Sequence, residues 1–356
     1  MSANELRRDY LLDRWVVIAT QRKRRPTDFV KKPELAKSGS CPFCPGNEEK
    51  TPPAFLVYLP SGKGKIKKTK DKDGIRHRGW LIRGFNNLFP AFTAPMQEEN
   101  KVKSSNFLSK AIGAHEVVVE SPRHDEHPGT ASLPQLELVV EAYLERLKAL
   151  SAAPYIKYVS IFRNHGLEAG ASLSHAHSQI IATPFVPRLV REELNASRTF
   201  WKKHGNCALC DILERERKSQ RFIWENKSFC VFAPWASVNP LEFWILPRRH
   251  QASPLEMKHK QKKDLTIALR VCLGGLRALL EDPPYNYGLH ITPDVSDCGE
   301  FYHWHVEVYP KLAIWAGFEK STGVYINTVT PEDAAASLKE AVRREEKLLF
   351  EAPKKL

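Results

Sequence analysis

The stretch Asn164-His-Gly-Leu-Glu-Ala-Gly170-Ala-Ser172-Leu-Ser174-His175-Ala-His177-Ser-Gln179 holds the densest concentration of chemically active side chains in the sequence. Residues from His175 to Thr183 run into the β-branched pair Ile180-Ile181, are bounded by Pro184, and read as a strand. Alternate side chains of a strand share a face, so His175, His177 and Gln179 line one side, about 7 Å apart at each step of two. That permits a division of labour. His175 is fixed by a metal, His177 reaches into a cleft with one ring nitrogen free, and Gln179 offers its amide to an anionic oxygen. Gly166 and Gly170 allow backbone N–H groups to come close to a phosphate, and Ser172 adds a hydroxyl donor. A neutral imidazole is a good nucleophile toward phosphorus, and a covalent intermediate splits one transfer into two easier steps.

Working outward, the chain repeats itself. Cys41-Pro-Phe-Cys44, Pro122-Arg-His124 and His175-Ala-His177 come first. Cys207-Ala-Leu-Cys210, Pro247-Arg-Arg-His250 and His303-Trp-His305 follow in the same order. His124 and His175 are 51 residues apart, and His250 and His303 are 53 apart, so the order and the spacing both argue for an internal duplication. The division is placed near residue 195, giving a catalytic half over 1–195 and a second half over 196–356. Each half reads as several short strands and one long helix, at about 134–151 and 261–281. A final helix starts with Thr330 as cap, Pro331 in the first turn and Asp333 at the capping-box position. Strands that outnumber helices in this pattern define an α+β chain with mainly antiparallel sheets and flanking helices.

Each CxxC can bind one ion in a tight turn, and a structural zinc needs two more ligands. The candidates are His124 and His175 for Cys41 and Cys44, and His250 and His303 for Cys207 and Cys210. Two closed Cys2His2 shells result, so two zinc ions per chain are expected; a core cysteine pair or a redox pair is the other reading of a lone CxxC. Seven cysteines, four of them in these pairs, argue against a disulfide framework. No apolar run approaches a membrane span, and the first ten residues lack a signal-peptide core, so a soluble cytoplasmic protein with no membrane partner is expected. The net charge of +13 points to anionic partners. Part of it lies in the Lys-rich segment 61–72, which reads as a solvated loop. A two-zinc nucleic-acid-binding protein is the competing class, weakened by the absence of helix-borne basic residues beside the CxxC pairs; steep salt dependence of oligonucleotide binding would identify it. Arg22 and Arg25 could hold a diphosphate, and Asn86-Asn87 could orient a ribose or base.

Taken together, these residues resemble the galactose-1-phosphate uridylyltransferases of the histidine-triad superfamily. The resemblance runs from Arg8-Asp9 to about Asn327. It rests on Arg14-Trp15-Val16, Arg22-x-x-Arg25-Pro26, the first CxxC, Ser121-Pro122-x-His124, Asn164-x-Gly166 and His175-x-His177-x-Gln179. It implies two histidine-triad-like halves, a homodimer, and ping-pong transfer of a nucleoside monophosphate from a nucleotide sugar to a sugar 1-phosphate or phosphate. In that scheme His177 carries the nucleotide and Gln179 and Ser172 assist. Arg25, Asn86, Asn164, Gly170, Ser172 and Gln179 contact the nucleotide and its phosphates, with Arg22 nearby, and Gly317 and Phe318 belong to the late loop beside the sugar. Uridylyltransferases proper usually read His-Pro-His-Gly-Gln where this chain has His175-Ala-His-Ser-Gln179. That string, Pro283-Pro-Tyr-Asn-Tyr287, the late loop 313–327 and the second CxxC set look closer to the ADP-glucose phosphorylase branch, so adenylyl transfer to phosphate is the alternative.

Overall fold

The computed structural model describes residues 4–20, 24, 26–30, 41–62, 64–72, 74–95, 109–293 and 295–351. Its strands are β1 (Glu5–Arg8), β2 (Trp15–Ile18), β3 (Leu56–Pro60), β4 (Ile66–Thr69), β5 (Ile82–Asn86), β6 (Ala114–Val119) and β7 (Tyr158–His165). They continue as β8 (His177–Thr183), β9 (Phe222–Glu225), β10 (Phe229–Phe232), β11 (Phe243–Pro247), β12 (Tyr285–His290), β13 (His305–Pro310) and β14 (Tyr325–Asn327). The helices are α1 (Leu133–Ser151), α2 (Arg188–His204), α3 (Ala208–Glu216), α4 (His259–Leu280), α5 (Val295–Cys298), α6 (Gly317–Thr322) and α7 (Pro331–Glu351).

Eleven strands form one antiparallel sheet in the order β4-β3-β5-β6-β8-β7-β12-β13-β11-β10-β9. From the central β7–β12 seam outward, β7-β8-β6-β5-β3 is mirrored by β12-β13-β11-β10-β9. The two H-x-H segments thus end up on equivalent strands, each one place from the seam. The seam is a regular antiparallel pairing, with His165 opposite Tyr285 and Asn164 opposite Asn286. A separate three-stranded sheet, β1-β2-β14, includes the one parallel pairing among the described strands. The fold is α+β, as the strand and helix periodicities require.

Helices cover one face of the large sheet. Leu136, Val139, Val140, Tyr143, Leu144 and Leu147 of α1 and Leu265, Leu269, Cys272, Leu273 and Leu276 of α4 share one buried core with Ile161, Ile180, Tyr287, Val306 and Val308 from the strands. Their three-and-four spacing is the stripe a helix needs to lie on a sheet. Helix α7 packs on α4 at Gly275, where an added Cβ would meet the backbone nitrogen of Val342 at 2.9 Å. The Thr330 cap forms: its hydroxyl accepts from Asp333 N–H at 3.0 Å and donates to the Asp333 carboxylate at 2.6 Å.

Two segments differ from the sequence reading. The Lys-rich segment contains an edge strand, β4, paired with β3. Lys68 bonds the Glu145 carboxylate at 2.6 Å and sits 4.8 Å from the Tyr58 ring centroid. Lysines on an edge strand keep it from pairing further, which gives this charge a structural use. The polar stretch around residue 195 is the helix α2, which buries only Val190, Glu193, Leu194 and Ser197. With two apolar anchors among 17 residues, its helical stripe is hard to see in sequence.

Beneath β8, on the helix side of the sheet, lies a buried polar network. Glu120 pairs with Arg163 and accepts from Ser178. Tyr143 bonds the same carboxylate and Tyr287, each at 2.7 Å. Arg163 is 1% exposed, so removing one partner strands a charge without water. Arg163→Met is expected to lower the unfolding free energy by about 3–5 kcal/mol; urea denaturation measures it, and a loss under 1 kcal/mol would show the pair to be dispensable.

Candidate active site and metal centres

The sheet face opposite the helices carries the candidate site residues His177 and Gln179. Val119 pairs with His177 and Val117 with Gln179, so His177 and Gln179 point to this face while Ser178 points to the buried network. His177 is 6% exposed, with the Phe43 ring edge-on at 5.2 Å between centroids. Its Nδ1 lies 2.8 Å from the His175 carbonyl oxygen, which can only accept. The ring hydrogen is therefore on Nδ1, and Nε2 keeps its lone pair. Nε2 has no hydrogen-bond partner among the described residues. Burial pushes the imidazole below its usual pKa, and Arg163 works in the same direction against the His175 bond. A neutral, aimed imidazole results.

The other predicted site residues are distributed unevenly. Asn164 lies across the seam from Asn286, whose Nδ2 donates to Asn164 Oδ1 at 2.8 Å and to Ala169 O at 2.7 Å. This turns Asn164 Nδ2 toward Gly170, 3.7 Å from where a Cβ there would stand. Gly170 has φ +86° and caps the short 3-10 turn Leu167–Ala169, a left-handed position that suits glycine. Ser172 is exposed in the loop before β8. Gln179 Oε1 bonds His115 Nε2 at 2.8 Å. Asn86 pairs with Glu116, whose carboxylate bonds Arg146 on the helix side, so the alternation puts Asn86 on the face away from His177. Its neighbour Asn87 turns the other way and lies 3.1 Å from His115 Nε2. Gly317 and Phe318 open α6, which packs on β14 in the small sheet. Arg22 and Arg25 lie outside the described residues. The sequence reading couples Asn87 with Asn86 as a ribose or base contact, and it gives His115 and Asn286 no role.

Beside His177 sits a group of four potential metal ligands, Cys41, Cys44, His124 and His175. Cys44 Sγ is 3.3 Å from His124 Nδ1 and 3.5 Å from His175 Nδ1, and Cys41 Sγ is 3.8 Å from His175 Nδ1. Tetrahedral coordination with a metal–sulfur bond of about 2.3 Å and a metal–nitrogen bond of about 2.0–2.1 Å places sulfur and nitrogen about 3.6 Å apart. The observed spacings bracket that value. The far ring nitrogens are engaged as a metal site requires: His175 Nε2 donates to Ser121 O at 2.8 Å, and His124 Nε2 meets Ser174 Oγ at 2.9 Å. The residues fit a zinc ion.

The second group, Cys207, Cys210, His250 and His303, has the same form. Cys210 Sγ is 3.4 Å from His250 Nδ1 and 3.5 Å from His303 Nδ1, and His250 Nε2 donates to Gly299 O at 2.8 Å. Here the cysteines lie at the start of α3, where the helix terminus favours thiolate. His305, two residues from His303, does not join this group. It belongs to another, with Glu193 and His290. His305 occupies the place of His177 on the mirrored strand, and its Nδ1 likewise bonds the His303 carbonyl at 3.1 Å. Its Nε2, however, bonds the Glu307 carboxylate at 3.1 Å. Glu307 stands where the first half has Gln179, so that nitrogen is already occupied. The imidazole nitrogen left without a partner among the described residues is in the first half, on His177.

Known proteins share this architecture over nearly the whole chain. The sequence is 33% identical to ADP-glucose phosphorylase from Arabidopsis thaliana, over 94% of this chain and 92% of the relative. It is 30% identical to galactose-1-phosphate uridylyltransferase from Thermotoga maritima, over 94% of this chain and 98% of that one. A crystal structure of the Arabidopsis phosphorylase with bound ADP-glucose superposes with a TM-score of 0.78 at 30% identity, covering 95% of this chain and 99% of that chain. A uridylyltransferase structure gives a TM-score of 0.72 at 28% identity, over 96% and 99% of the two chains. Residues 125–349 match the family described as Domain of unknown function (DUF4921).

By class the protein is a nucleotidyltransferase. The chain belongs to the galactose-1-phosphate uridylyltransferase family. Among the described residues no helix is long and apolar enough to cross a membrane.

Proposed function

We propose that the protein passes a nucleoside monophosphate between a nucleotide sugar and a sugar 1-phosphate, in the manner of a hexose-1-phosphate uridylyltransferase, with His177 as the covalent carrier. The observation that carries this is the tautomer of His177: Nδ1–H is committed to the His175 carbonyl, and Nε2 is left free on the open face. In the first step the Nε2 lone pair forms a bond to the α-phosphorus. The bond from that phosphorus to the bridging oxygen breaks, and sugar 1-phosphate leaves with the electron pair. The positive charge that develops on the ring is held by the His175 carbonyl through Nδ1–H. In the second step a phosphate oxygen of the acceptor attacks the same phosphorus and Nε2 departs. The acceptor oxygen is already anionic, so neither step needs a base to remove a proton. Gln179, Asn164, Ser172 and the N–H groups around Gly170 donate to the phosphoryl oxygens as charge builds.

A zinc ion held by Cys41, Cys44, His124 and His175 would supply no chemistry beyond holding the His175 backbone, whose carbonyl sets the His177 tautomer. A second zinc at Cys207, Cys210, His250 and His303 has the same structural role in the other half. The halves are taken as 1–195 and 196–356, with the mirrored strand order in support and the division falling inside α2. Adenylyl transfer with phosphate as acceptor is the second reading, favoured by the likeness to the ADP-glucose phosphorylase and by Ala176 and Ser178 within the H-x-H-x-Q string. Gly317 and half-exposed Phe318 are assigned to the acceptor side in a homodimeric, cytoplasmic enzyme; light scattering tests the dimer.

The decisive experiment offers the enzyme UDP-glucose and ADP-glucose separately, each labelled at the phosphate next to the nucleoside. Acid-labile, base-stable label on His177 is expected from one of them, and its identity gives the base. No protein-bound label from either would end the proposal.

A further inference from the structure

We propose that His115 is a positioning residue that locks the Gln179 carboxamide with its NH2 toward the reacting phosphoryl group, an inference that rests on the nucleotidyl-transfer reading above. His115 is buried on β6 and lies opposite Ile181, which puts it diagonal to Gln179 on the same face. The Ala91 backbone N–H lies 3.1 Å from His115 Nδ1. A peptide N–H can only donate, so Nδ1 accepts and the ring hydrogen belongs to Nε2. That hydrogen has two neighbours. Gln179 Oε1 is at 2.8 Å and Asn87 Nδ2 at 3.1 Å. Asn87 Oδ1 accepts from Phe89 N–H at 2.9 Å, which turns the Asn87 NH2 toward the ring. Of the two, only Gln179 Oε1 can accept.

The consequence falls on the far end of Gln179. With Oε1 held by His115, the NH2 is left without a partner among the described residues, on the face that carries His177. The two ends of a carboxamide have almost the same shape, so packing alone does not choose between them. A flipped Gln179 would present an oxygen lone pair to an anionic phosphoryl group and repel it. The His115 hydrogen bond therefore decides whether Gln179 attracts or repels the developing charge. In the second half Glu307 holds the place of Gln179 and has no amide to orient.

The test is a double-mutant cycle on the single-turnover rate of nucleotidyl-enzyme formation. Gln179→Ala is expected to slow that rate about 10²-fold, the usual effect of removing one transition-state donor. His115→Phe should slow it about tenfold with little change in KM, and His115→Gln, which can still donate to Gln179 and accept from Ala91, should restore most of the loss. In the Gln179→Ala background His115→Phe should cost nothing further. His115→Leu runs the same cycle if phenylalanine leaves too little folded enzyme. Equal slowing by His115→Phe in both backgrounds, or no slowing in either, overturns the proposal while leaving His177 as carrier. Absence of any nucleotidyl adduct in the unsubstituted enzyme overturns both.

Discussion

His177→Ala or His177→Gly is expected to abolish the nucleotidyl-enzyme adduct and to lower transfer by roughly 10⁴–10⁶-fold, the range seen when a covalent nucleophile is deleted. The size follows from the site having, among the described residues, one imidazole on the open face whose Nε2 has no partner. The mirrored His305 is bonded to Glu307 and cannot substitute. Zinc content should not change, because the four ligand atoms and their supporting bonds to Ser121 and Ser174 do not involve the His177 ring. The thermal midpoint should stay near that of the parent. Adduct formation by mass spectrometry, metal analysis and a melting curve on one preparation decide the matter. Residual adduct above about one per cent of the parent would mean that another group carries the nucleotide.

What the sequence shows of this site, and what it does not, follows the range of the interactions. The H-x-H-x-Q string is legible because its geometry is local: a period of two puts His177 and Gln179 on one face of β8, while His175, expected on the same strand, stands two residues ahead of it and reaches the same Phe43 ring. The two CxxC sets are legible because the duplication places the same ligands in the same order. Asn86 and Asn87 are adjacent, and a strand sends adjacent side chains to opposite faces; only the pairing of β5 with β6 shows which of them faces His115. Asn286 comes to Asn164 from 122 residues away, through the register of the seam. His115 is preceded by Ala114 and followed by Glu116 and three valines, and nothing in that string separates a buried strand histidine from one that aims a glutamine. The Glu120–Arg163 pair is hidden for the same reason. Glu120 follows directly on β6 and Arg163 lies on β7, and the sequence does not say that the two side chains meet beneath β8.

Cys44→Ser and Cys210→Ser should separate the two metal centres. Either substitution removes a ligand from one four-residue group, so metal content is expected to fall from two ions per chain to one. Cys44 Sγ is within 3.5 Å of both His124 and His175, so its loss leaves no shell that closes around an ion. Structural zinc contributes on the order of 10–16 kcal/mol in small domains. In a chain with a large sheet core only part of that is felt as unfolding, and a loss of about 3 kcal/mol corresponds to a midpoint lower by roughly 4 °C. The two variants should then part company in their chemistry. Freed from its group, His175 no longer holds the backbone carbonyl that fixes the His177 tautomer, and a shift of about 1 Å at the nucleophile costs on the order of 10²-fold in rate. Cys210→Ser releases His250 and His303, whose neighbouring ring, His305, makes no bond to the first-half site. At a temperature where both remain folded, nucleotidyl-enzyme formation should collapse in Cys44→Ser and persist in Cys210→Ser. Equal rates would show that the first four-ligand group supports the fold without holding His177.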